Sequence, residues 1–182
     1  LKEIFYKLIS KIDSNVDRAE KIIHHMRQFA RKSDVKLVRT NINNVLQRTF
    51  EMFNQQLKIH GIDVIWDKNE ALPEILADPD RLEQVFINLL VNACHAMPLG
   101  GRMAIIMRAD LKRDRLITTI EDTGQGISEE HLGRIFDPFF TTKNQEINGI
   151  SGTGLGLSIS YGIIENHGGQ ILVQSSLGHG TV

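Results

Sequence analysis

The chain has 182 residues, of which 41% are apolar and 24% are charged, a composition typical of a folded globular domain. Its 21 lysines and arginines nearly balance 22 aspartates and glutamates. The net charge of −1 therefore gives no broad electrostatic field for binding nucleic acid or an anionic membrane. The single cysteine, Cys94, excludes a disulfide framework and a cysteine-based zinc site. No apolar run approaches the length of a membrane span and no signal peptide is recognisable, so we expect a cytoplasmic setting and no membrane contact for this segment.

Residues 1 to about 32 contain no glycine or proline and predict a long amphipathic helix. Its apolar residues recur in alternating steps of three and four, at Phe5, Leu8, Ile12, Ala19, Ile22, Met26 and Phe29. This spacing is typical of a coiled coil or a helical bundle, and so wide a stripe needs partner helices. A helix packed on its own domain is the alternative. Because Leu1 already lies inside the pattern, we interpret the chain as part of a longer protein. The sequence does not decide whether that longer protein is anchored in a membrane.

After residue 34, helices and strands alternate irregularly. The elements expected in chain order are a short strand at 35–39, a helix from a cap at Thr40 or Asn41 to about His60, a strand at 62–66, a helix from the Asp78-Pro79 cap to about Met97, strands at 102–110 and 115–121, a loop-rich stretch at 122–153, a helix at 154–167 and a strand at 170–176. The two middle strands look antiparallel. Together these elements predict a two-layer α/β sandwich, in which a mixed sheet carries helices on one face.

Two asparagines on the predicted helix 79–97 are candidates for metal binding. Asn88 and Asn92 lie four residues apart and therefore share one face of the helix. Apolar residues bury most of this helix, so both amides need hydrogen-bond or metal partners. An amide oxygen is a neutral, hard ligand that suits Mg²⁺ already carrying nucleotide phosphates. Satisfaction of both amides by backbone groups is the alternative.

Two glycine-rich segments are candidates for binding a nucleotide. Asp122, Gly124 and Gly126 directly follow a strand, where a carboxylate can accept a hydrogen bond from an aromatic amine and the glycines let a planar ligand approach. A simple turn is the alternative. The second segment, 152–156, opens a helix with three alternate glycines, which leave backbone N–H groups free to face an anion. Between the segments, 134–143 places three phenylalanines around Pro138 and predicts a hydrophobic anchor followed by a mobile lid, with plain core packing as the alternative.

In this order and at these separations, the segments resemble the ATP-binding catalytic domain of two-component sensor histidine kinases, which belong to the Bergerat-fold ATPases. Residues 81–93 match the N box of the family, 122–127 its first Gly box, 135–143 its F box and 152–156 its second Gly box. Residues 168–171 and 178–182 match its closing strands. The resemblance covers about residues 35–182 and implies a mixed sheet under three helices, with ATP between the N box and the second Gly box.

The resemblance also implies a role for each matching residue. Asp122 is assigned to the adenine amine, and Gly124 and Gly126 to the shape of the adenine pocket. Asn92, with Asn88, is assigned to Mg²⁺ and the phosphates, and so to catalysis. The backbone of the second Gly box is assigned to the phosphates, with Lys143 as a further phosphate contact; its residues are Gly152, Thr153, Gly154, Leu155 and Gly156. One departure is His95, which stands where many relatives carry a lysine or arginine and is a weaker phosphate partner when neutral.

Residues 1–33 resemble the second helix of the dimerisation and phosphoacceptor hairpin of the family, and 34–182 its catalytic domain. In the intact protein this implies a homodimer through a four-helix bundle. The acceptor histidine of the family lies on the first helix of the hairpin, followed by an acidic residue and then a proline. His24 and His25 have no such context, because Met26 follows them and Phe29 and Ala30 stand where the proline would be, so we do not expect either to be the acceptor.

The resemblance implies transfer of the γ-phosphoryl group of ATP to a histidine and then to an aspartate on the receiver domain of a response regulator. One alternative is a Bergerat ATPase that hydrolyses ATP to drive a conformational change. Such relatives carry a glutamate as water-activating base in the N box, where this chain has Asn88, although Glu83 is nearby. A non-catalytic module whose long helix binds a partner is a third reading.

Overall fold

The computed structural model describes residues 36–142 and 153–182, together with Phe5, Tyr6, Ile9, Ile12 and Val16. These five N-terminal residues are helical, as the sequence predicts. The remainder of the helix predicted over the first 32 residues, including His24 and His25, lies outside the described residues, and so do Lys143 and Gly152. None of the helices in the described part of the chain has the length and hydropathy needed to span a lipid bilayer.

From residue 36 onward, the described residues form five strands and four helices. The strands are β1 (Val38–Thr40), β2 (Ile62–Asp67), β3 (Ile75–Ala77), β4 (Gly101–Asp110) and β5 (Arg115–Asp122). The helices are α1 (Ile42–Ile59), α2 (Pro79–Ala96), α3 (Glu129–Leu132) and α4 (Gly156–Asn166).

Both long helices begin at caps that the sequence offers, and of the two candidates for α1, Thr40 and Asn41, the structure selects Asn41. The side chain of Asn41 accepts the N–H of Asn43 at 2.9 Å at the start of α1. Asp78 likewise accepts the N–H of Arg81 at 3.2 Å at the start of α2, with Pro79 in the first turn, where its missing N–H costs nothing. At the other end of α1, Gly61 has a φ of 64°, which glycine adopts without strain and which ends the helix.

The central sheet has three strands in the order β2-β4-β5 and is mixed, as predicted. β2 pairs in parallel with β4, and β4 pairs antiparallel with β5, so that Met103 lies opposite Asp122. A separate two-stranded antiparallel sheet joins β1 to β3.

The core lies between one face of the central sheet and the helices. On β4, the alternate residues Met103, Ile105 and Met107 are at most 1% exposed. Leu46 of α1 and Leu90 of α2 belong to the same cluster and are completely buried. The opposite face of the sheet leaves Ile65 and Ile117 about half exposed, so the helices cover only one face of the sheet. This arrangement confirms the predicted two-layer α/β architecture.

The structure corrects several predicted elements. The first strand lies at Val38–Thr40 instead of 35–39, because it pairs with β3, a three-residue strand too short to give a periodic signal. The loop-rich stretch contains the short helix α3. The strand predicted at 170–176 was wrong. Ser175 makes only an isolated bridge to Thr181, and Gln174 exchanges two 2.8 Å backbone hydrogen bonds with Val182. Because a strand needs a run of paired residues and the pairing here is limited to Gln174 and Ser175, no strand forms over 170–176.

Candidate nucleotide-binding site

The N-box helix α2 presents both asparagines half-buried on the side that packs on α4. The Asn88 Nδ2 donates to the carbonyl oxygen of Gly156 at 3.0 Å and to the hydroxyl of Ser160 at 3.1 Å. Ser160, which is completely buried, also donates to the Gly156 carbonyl at 2.9 Å. Asn88 therefore joins the N box directly to the second Gly box, a contact that the sequence did not predict.

These hydrogen bonds fix which end of the Asn88 amide faces α4. The Gly156 carbonyl can only accept, so the atom that faces it is the amide nitrogen. The Asn88 Oδ1 lies toward the first residue of α4, where a β-carbon built on Gly156 would be 3.5 Å from it. For Asn92, which is half-buried one turn further along, no hydrogen-bond partner of the side chain is found among the described residues.

The donor set fits a cation that brings its own phosphates. Within the described ranges, no group of three or more His, Cys, Asp or Glu is placed to hold a metal ion. The oxygens of Asn88 and Asn92 are neutral hard ligands, which bind Mg²⁺ only alongside charged ligands such as phosphate. Asn88 and Asn92 are therefore suited to Mg²⁺ carried by a nucleotide, and would not suffice as a site for a bare ion.

Asp122 ends β5 as a buried carboxylate held by backbone groups. Its Oδ1 accepts the N–H of Gly124 at 2.8 Å. Its own backbone N–H donates to Thr181 at 2.9 Å, and its carbonyl accepts the N–H of Thr181 at 3.2 Å. Burial raises the pKa of the carboxyl, the backbone N–H groups of Gly124 and Thr181 partly offset this, and the charge of Glu121 adds to the increase.

The glycines of the first Gly box allow close backbone contacts. A β-carbon at Gly124 would lie 2.6 Å from the carbonyl oxygen of Ala96 at the end of α2. The Ala96 carbonyl also accepts the N–H of Gln125 at 2.9 Å, which fastens the loop to the helix. Gly126 has a φ of 68°, and a β-carbon there would collide with the carbonyl oxygen of Ser176. Both positions thus require glycine because the loop packs closely against protein backbone, whether or not a ligand is bound.

Residues 153–156 of the second Gly box lead into the first turn of α4. Within the described part of the chain, no side chain caps this turn, where Leu155 is the N-cap residue. The side-chain oxygen of Thr153 accepts the N–H of Leu155 only weakly, at 3.4 Å, and Leu155 itself is buried. A helix that starts without a side-chain cap leaves its first backbone donors and its positive dipole end for an anion.

The F box packs against the second Gly box. Gly154 has a φ of 67°, and a β-carbon there would collide with the backbone of Phe139. Phe139 itself has a φ of 66°, is more than half exposed and does not anchor the segment. The hydrophobic contacts come instead from Ile135, which is buried, and from Phe136, whose ring lies 5.1 Å from that of Tyr161 on α4.

The structure brings the predicted segments together along one helix. α2 contacts the first Gly box through Ala96 and the second Gly box through Asn88. His95 lies in the last turn of α2, on the Asn88 and Asn92 side of the helix. The sequence analysis did not identify Ser160 as part of the site. The feature that could have indicated it is a serine within an apolar stretch of a helix, four residues after Gly156.

Comparison with known proteins identifies the family. Residues 77–182 match the family model described as histidine kinase-, DNA gyrase B- and HSP90-like ATPase. The chain belongs to this family. Among curated relatives, sporulation kinase E of Bacillus subtilis is 36% identical over 171 residues, which cover 94% of this chain and 22% of the relative. The sensor histidine kinase ZraS of Salmonella typhimurium is 34% identical over 177 residues, which cover 97% of this chain and 37% of the relative. The chain thus spans well under half the length of either relative.

Solved structures support the same assignment. ShkA, solved full-length in complex with AMPPNP, superposes with a TM-score of 0.77 at 28% identity, over 93% of this chain and 34% of that one. The catalytic domain of histidine kinase ThkA gives a TM-score of 0.67 at 33% identity, over 80% of this chain and 91% of that one. ThkA in complex with the response regulator TrrA gives 0.76 at 26% identity, over 96% of this chain and 48% of that one. The fold is therefore the Bergerat fold of histidine kinase catalytic domains, as predicted.

Proposed function

We propose that residues 34–182 are the ATP-binding catalytic domain of a sensor histidine kinase and that residues 1–33 are the second helix of its dimerisation and phosphoacceptor hairpin. The observation that carries the proposal is the joint contact of α2 with both Gly boxes, through Ala96 and Asn88. One helix thereby contacts the loop that follows the buried carboxylate of Asp122 at one end, and the N-terminus of α4 near its middle. This is the arrangement needed to bind a base and its phosphates together.

The base is held by Asp122. A carboxylate accepts several hydrogen bonds, so Asp122 can accept the exocyclic amine of adenine while it keeps the N–H of Gly124. Its burial makes this bond worth more than it would be in water. Gly124 and Gly126 shape the pocket by seating the loop on Ala96 and Ser176. The structure of ShkA with AMPPNP supports an adenine nucleotide as the ligand.

The phosphates are held at the start of α4. The backbone donors of Thr153, Gly154, Leu155 and Gly156 face them, and Gly152 and Lys143 are proposed as further contacts. Asn92 and Asn88 would hold Mg²⁺, which when bound neutralises charge on the phosphates during transfer. Asn88 is oriented for this by its bonds to Gly156 and Ser160.

The reaction transfers the γ-phosphoryl group of ATP to a histidine imidazole. A ring nitrogen forms a bond to the γ-phosphorus while the bond to the oxygen of the leaving ADP breaks. The chain contributes positioning and charge stabilisation, which phosphoryl transfer requires above covalent chemistry. We expect the acceptor on the first helix of the hairpin, and passage onward to an aspartate of a response regulator, the kind of protein with which ThkA was solved.

Residues 1–33 are proposed to form a homodimer through a four-helix bundle. Phe5, Ile9, Ile12 and Val16 are helical, follow steps of four, three and four, and are 40–62% exposed. Large apolar side chains at this spacing need a helical partner. Homodimerisation through such a bundle provides one.

The alternative, ATP hydrolysis, needs a base beside the nucleotide that can take a proton from water. Glu83 faces α1, where its carboxylate lies 3.8 Å from the guanidinium of Arg48, whereas Asn88 faces α4. Asn88 cannot take a proton from water. Glu83, the glutamate nearest to Asn88 in sequence, thus lies on a different side of α2 from Asn88.

Autophosphorylation tests the proposal. The chain, extended by the preceding helix of the intact protein, is incubated with γ-labelled ATP. Acid-labile, base-stable label on the protein is expected. Steady-state release of inorganic phosphate without protein labelling would favour the hydrolase, and absence of nucleotide binding by calorimetry would favour a non-catalytic module.

A further inference from the structure

Ser160 is a buried hydroxyl within the apolar run of α4. Its side chain is completely buried. It donates to the Gly156 carbonyl at 2.9 Å and lies 3.1 Å from the Asn88 Nδ2, which itself donates to the same carbonyl at 3.0 Å. Three polar groups therefore close a small hydrogen-bonded ring between α2 and α4.

The donor and acceptor capacities fix the direction of this ring. A serine hydroxyl has one hydrogen, and that of Ser160 is directed to Gly156. Only lone pairs of Ser160 remain for Asn88, and the Gly156 carbonyl offers only lone pairs as well. Both partners of Asn88 on α4 are thus acceptors, so the amide nitrogen must face them.

The opposite end of the amide is then an oxygen at the start of α4. The carbonyl of Gly156 points along the helix toward its C-terminus, and a β-carbon at that position would tilt toward its N-terminus. That β-carbon position is 3.5 Å from the Asn88 Oδ1. A flipped amide would place two N–H groups, instead of an acceptor, at the end of the helix where the phosphates are proposed to bind.

We propose that Ser160 is a positioning residue that holds the Asn88 oxygen toward the cation carried by the nucleotide. This rests on the proposed function of the site. Ser160 touches neither nucleotide nor cation and acts only through the orientation of Asn88. Without its hydroxyl, the amide keeps a single acceptor on α4 and turns more freely about its last torsion.

Magnesium-dependent nucleotide binding tests this role in the 182-residue chain. AMPPNP binding is measured by calorimetry over a range of Mg²⁺ concentrations and also with the metal chelated. Ser160→Ala is expected to raise the Mg²⁺ concentration for half-maximal enhancement by about 2- to 10-fold, the effect of one lost hydrogen bond, and to leave metal-free binding unchanged. Ser158→Ala is the matched control, because Ser158 is also buried on α4 but donates to Leu155 at 2.9 Å.

Two further measurements separate positioning from packing. In the Asn88→Ala background, Ser160→Ala is expected to have no additional effect on Mg²⁺ dependence, since the group it orients is gone. In ¹⁵N-labelled protein without nucleotide, the side-chain amide signals of Asn88, identified by their loss in Asn88→Asp, are expected to shift in Ser160→Ala and to stay in place in Ser158→Ala. If Ser160→Ala does not fold, Ser160→Cys, which preserves volume but is a poor acceptor, takes its place.

Each result decides the proposal. Three results would overturn it and leave the proposed function intact. They are the same Mg²⁺ dependence in Ser160→Ala and Ser158→Ala, Asn88 amide signals that do not shift in Ser160→Ala, or a loss of AMPPNP affinity in Ser160→Ala that is as large without Mg²⁺ as with it. If the unaltered chain does not bind AMPPNP, the proposed function itself fails.

Discussion

His167 joins the end of one site helix to the beginning of the other. Its Nε2 accepts the backbone N–H of Asp78 at 2.9 Å, and its Nδ1 lies 2.7 Å from the carbonyl oxygen of Ile163. Because Nε2 accepts, the ring hydrogen lies on Nδ1, which donates it to the Ile163 carbonyl. His167 thereby fastens the last turn of α4 to the cap of α2, at the end of the helix pair away from Asn92.

Replacing His167 by alanine should lower the stability of the domain. Two hydrogen bonds are lost and the N–H of Asp78 is left without its partner, which costs about 1–3 kcal/mol. Urea unfolding measures the change in free energy. His60→Ala, an exposed histidine at the end of α1, is the control and should change stability by less than about 0.5 kcal/mol. An equal effect of the two substitutions would show that the Asp78 contact contributes nothing.

Removing the carboxylate of Asp122 should weaken nucleotide binding. If Asp122 binds the adenine amine as we propose, Asp122→Ala leaves that amine without an acceptor, and binding should weaken by about 1–3 kcal/mol. Calorimetry with AMPPNP measures this. Affinity close to that of the unaltered chain would remove Asp122 from the base-binding site.

Neutralising the same group should have a pH-dependent effect on stability. Burial raises the pKa of Asp122, so the folded state prefers the protonated carboxyl more than the unfolded state does. This preference stabilises the protein at low pH and is lost as pH rises through the raised pKa. Asp122→Asn, which cannot ionise, should therefore gain stability relative to aspartate as pH is raised from 4 to 7. Urea unfolding across this range checks the sign; a constant difference would contradict it.

Two glycines of the second Gly box should differ in their response to alanine. Gly154→Ala places a β-carbon at a positive φ and against the Phe139 backbone, so it should destabilise by at least about 1–2 kcal/mol. Gly156 is helical, and a β-carbon there makes only ordinary contacts at 3.5 Å, so Gly156→Ala should fold normally. It should nevertheless weaken Mg²⁺-AMPPNP binding, since the added methyl adjoins the Asn88 oxygen. Thermal unfolding and calorimetry separate the two effects.

Removing the amide of Asn92 should abolish most of the dependence of nucleotide binding on Mg²⁺. The cation would lose a ligand oxygen, whereas the contacts to adenine remain. AMPPNP titrations with Mg²⁺ and with chelator give the ratio of the two affinities, which should fall toward one in Asn92→Ala. Gln84→Ala, a half-buried amide two turns earlier on α2, is the control. A retained ratio would place the metal on other groups.

The sequence predicted those features that depend on local chemistry. The cap at Asp78, the pairing of β4 with β5, and the carboxylate at the end of β5 all follow from residue type and spacing, which also narrow the cap of α1 to Thr40 or Asn41. Features that depend on distant backbone were not predictable. The hydrogen bond between Asn88 and Ser160 joins residues 72 positions apart. Residue 154 must be glycine because the backbone of Phe139 leaves no room for a β-carbon there. Neither leaves a periodic signal in the chain.

The carbonyl and N–H of Asp122 bond to Thr181, and Gly180 has no room for a side chain beside that carbonyl. During synthesis, the strands, the N-box helix and α4 leave the ribosome before this last turn does. A nascent polypeptide stalled ahead of Thr181 would leave the backbone N–H and carbonyl of Asp122 without these partners. Thr181, although far from Asp122 in sequence, is thus required before the carboxylate that we propose binds adenine is held in place.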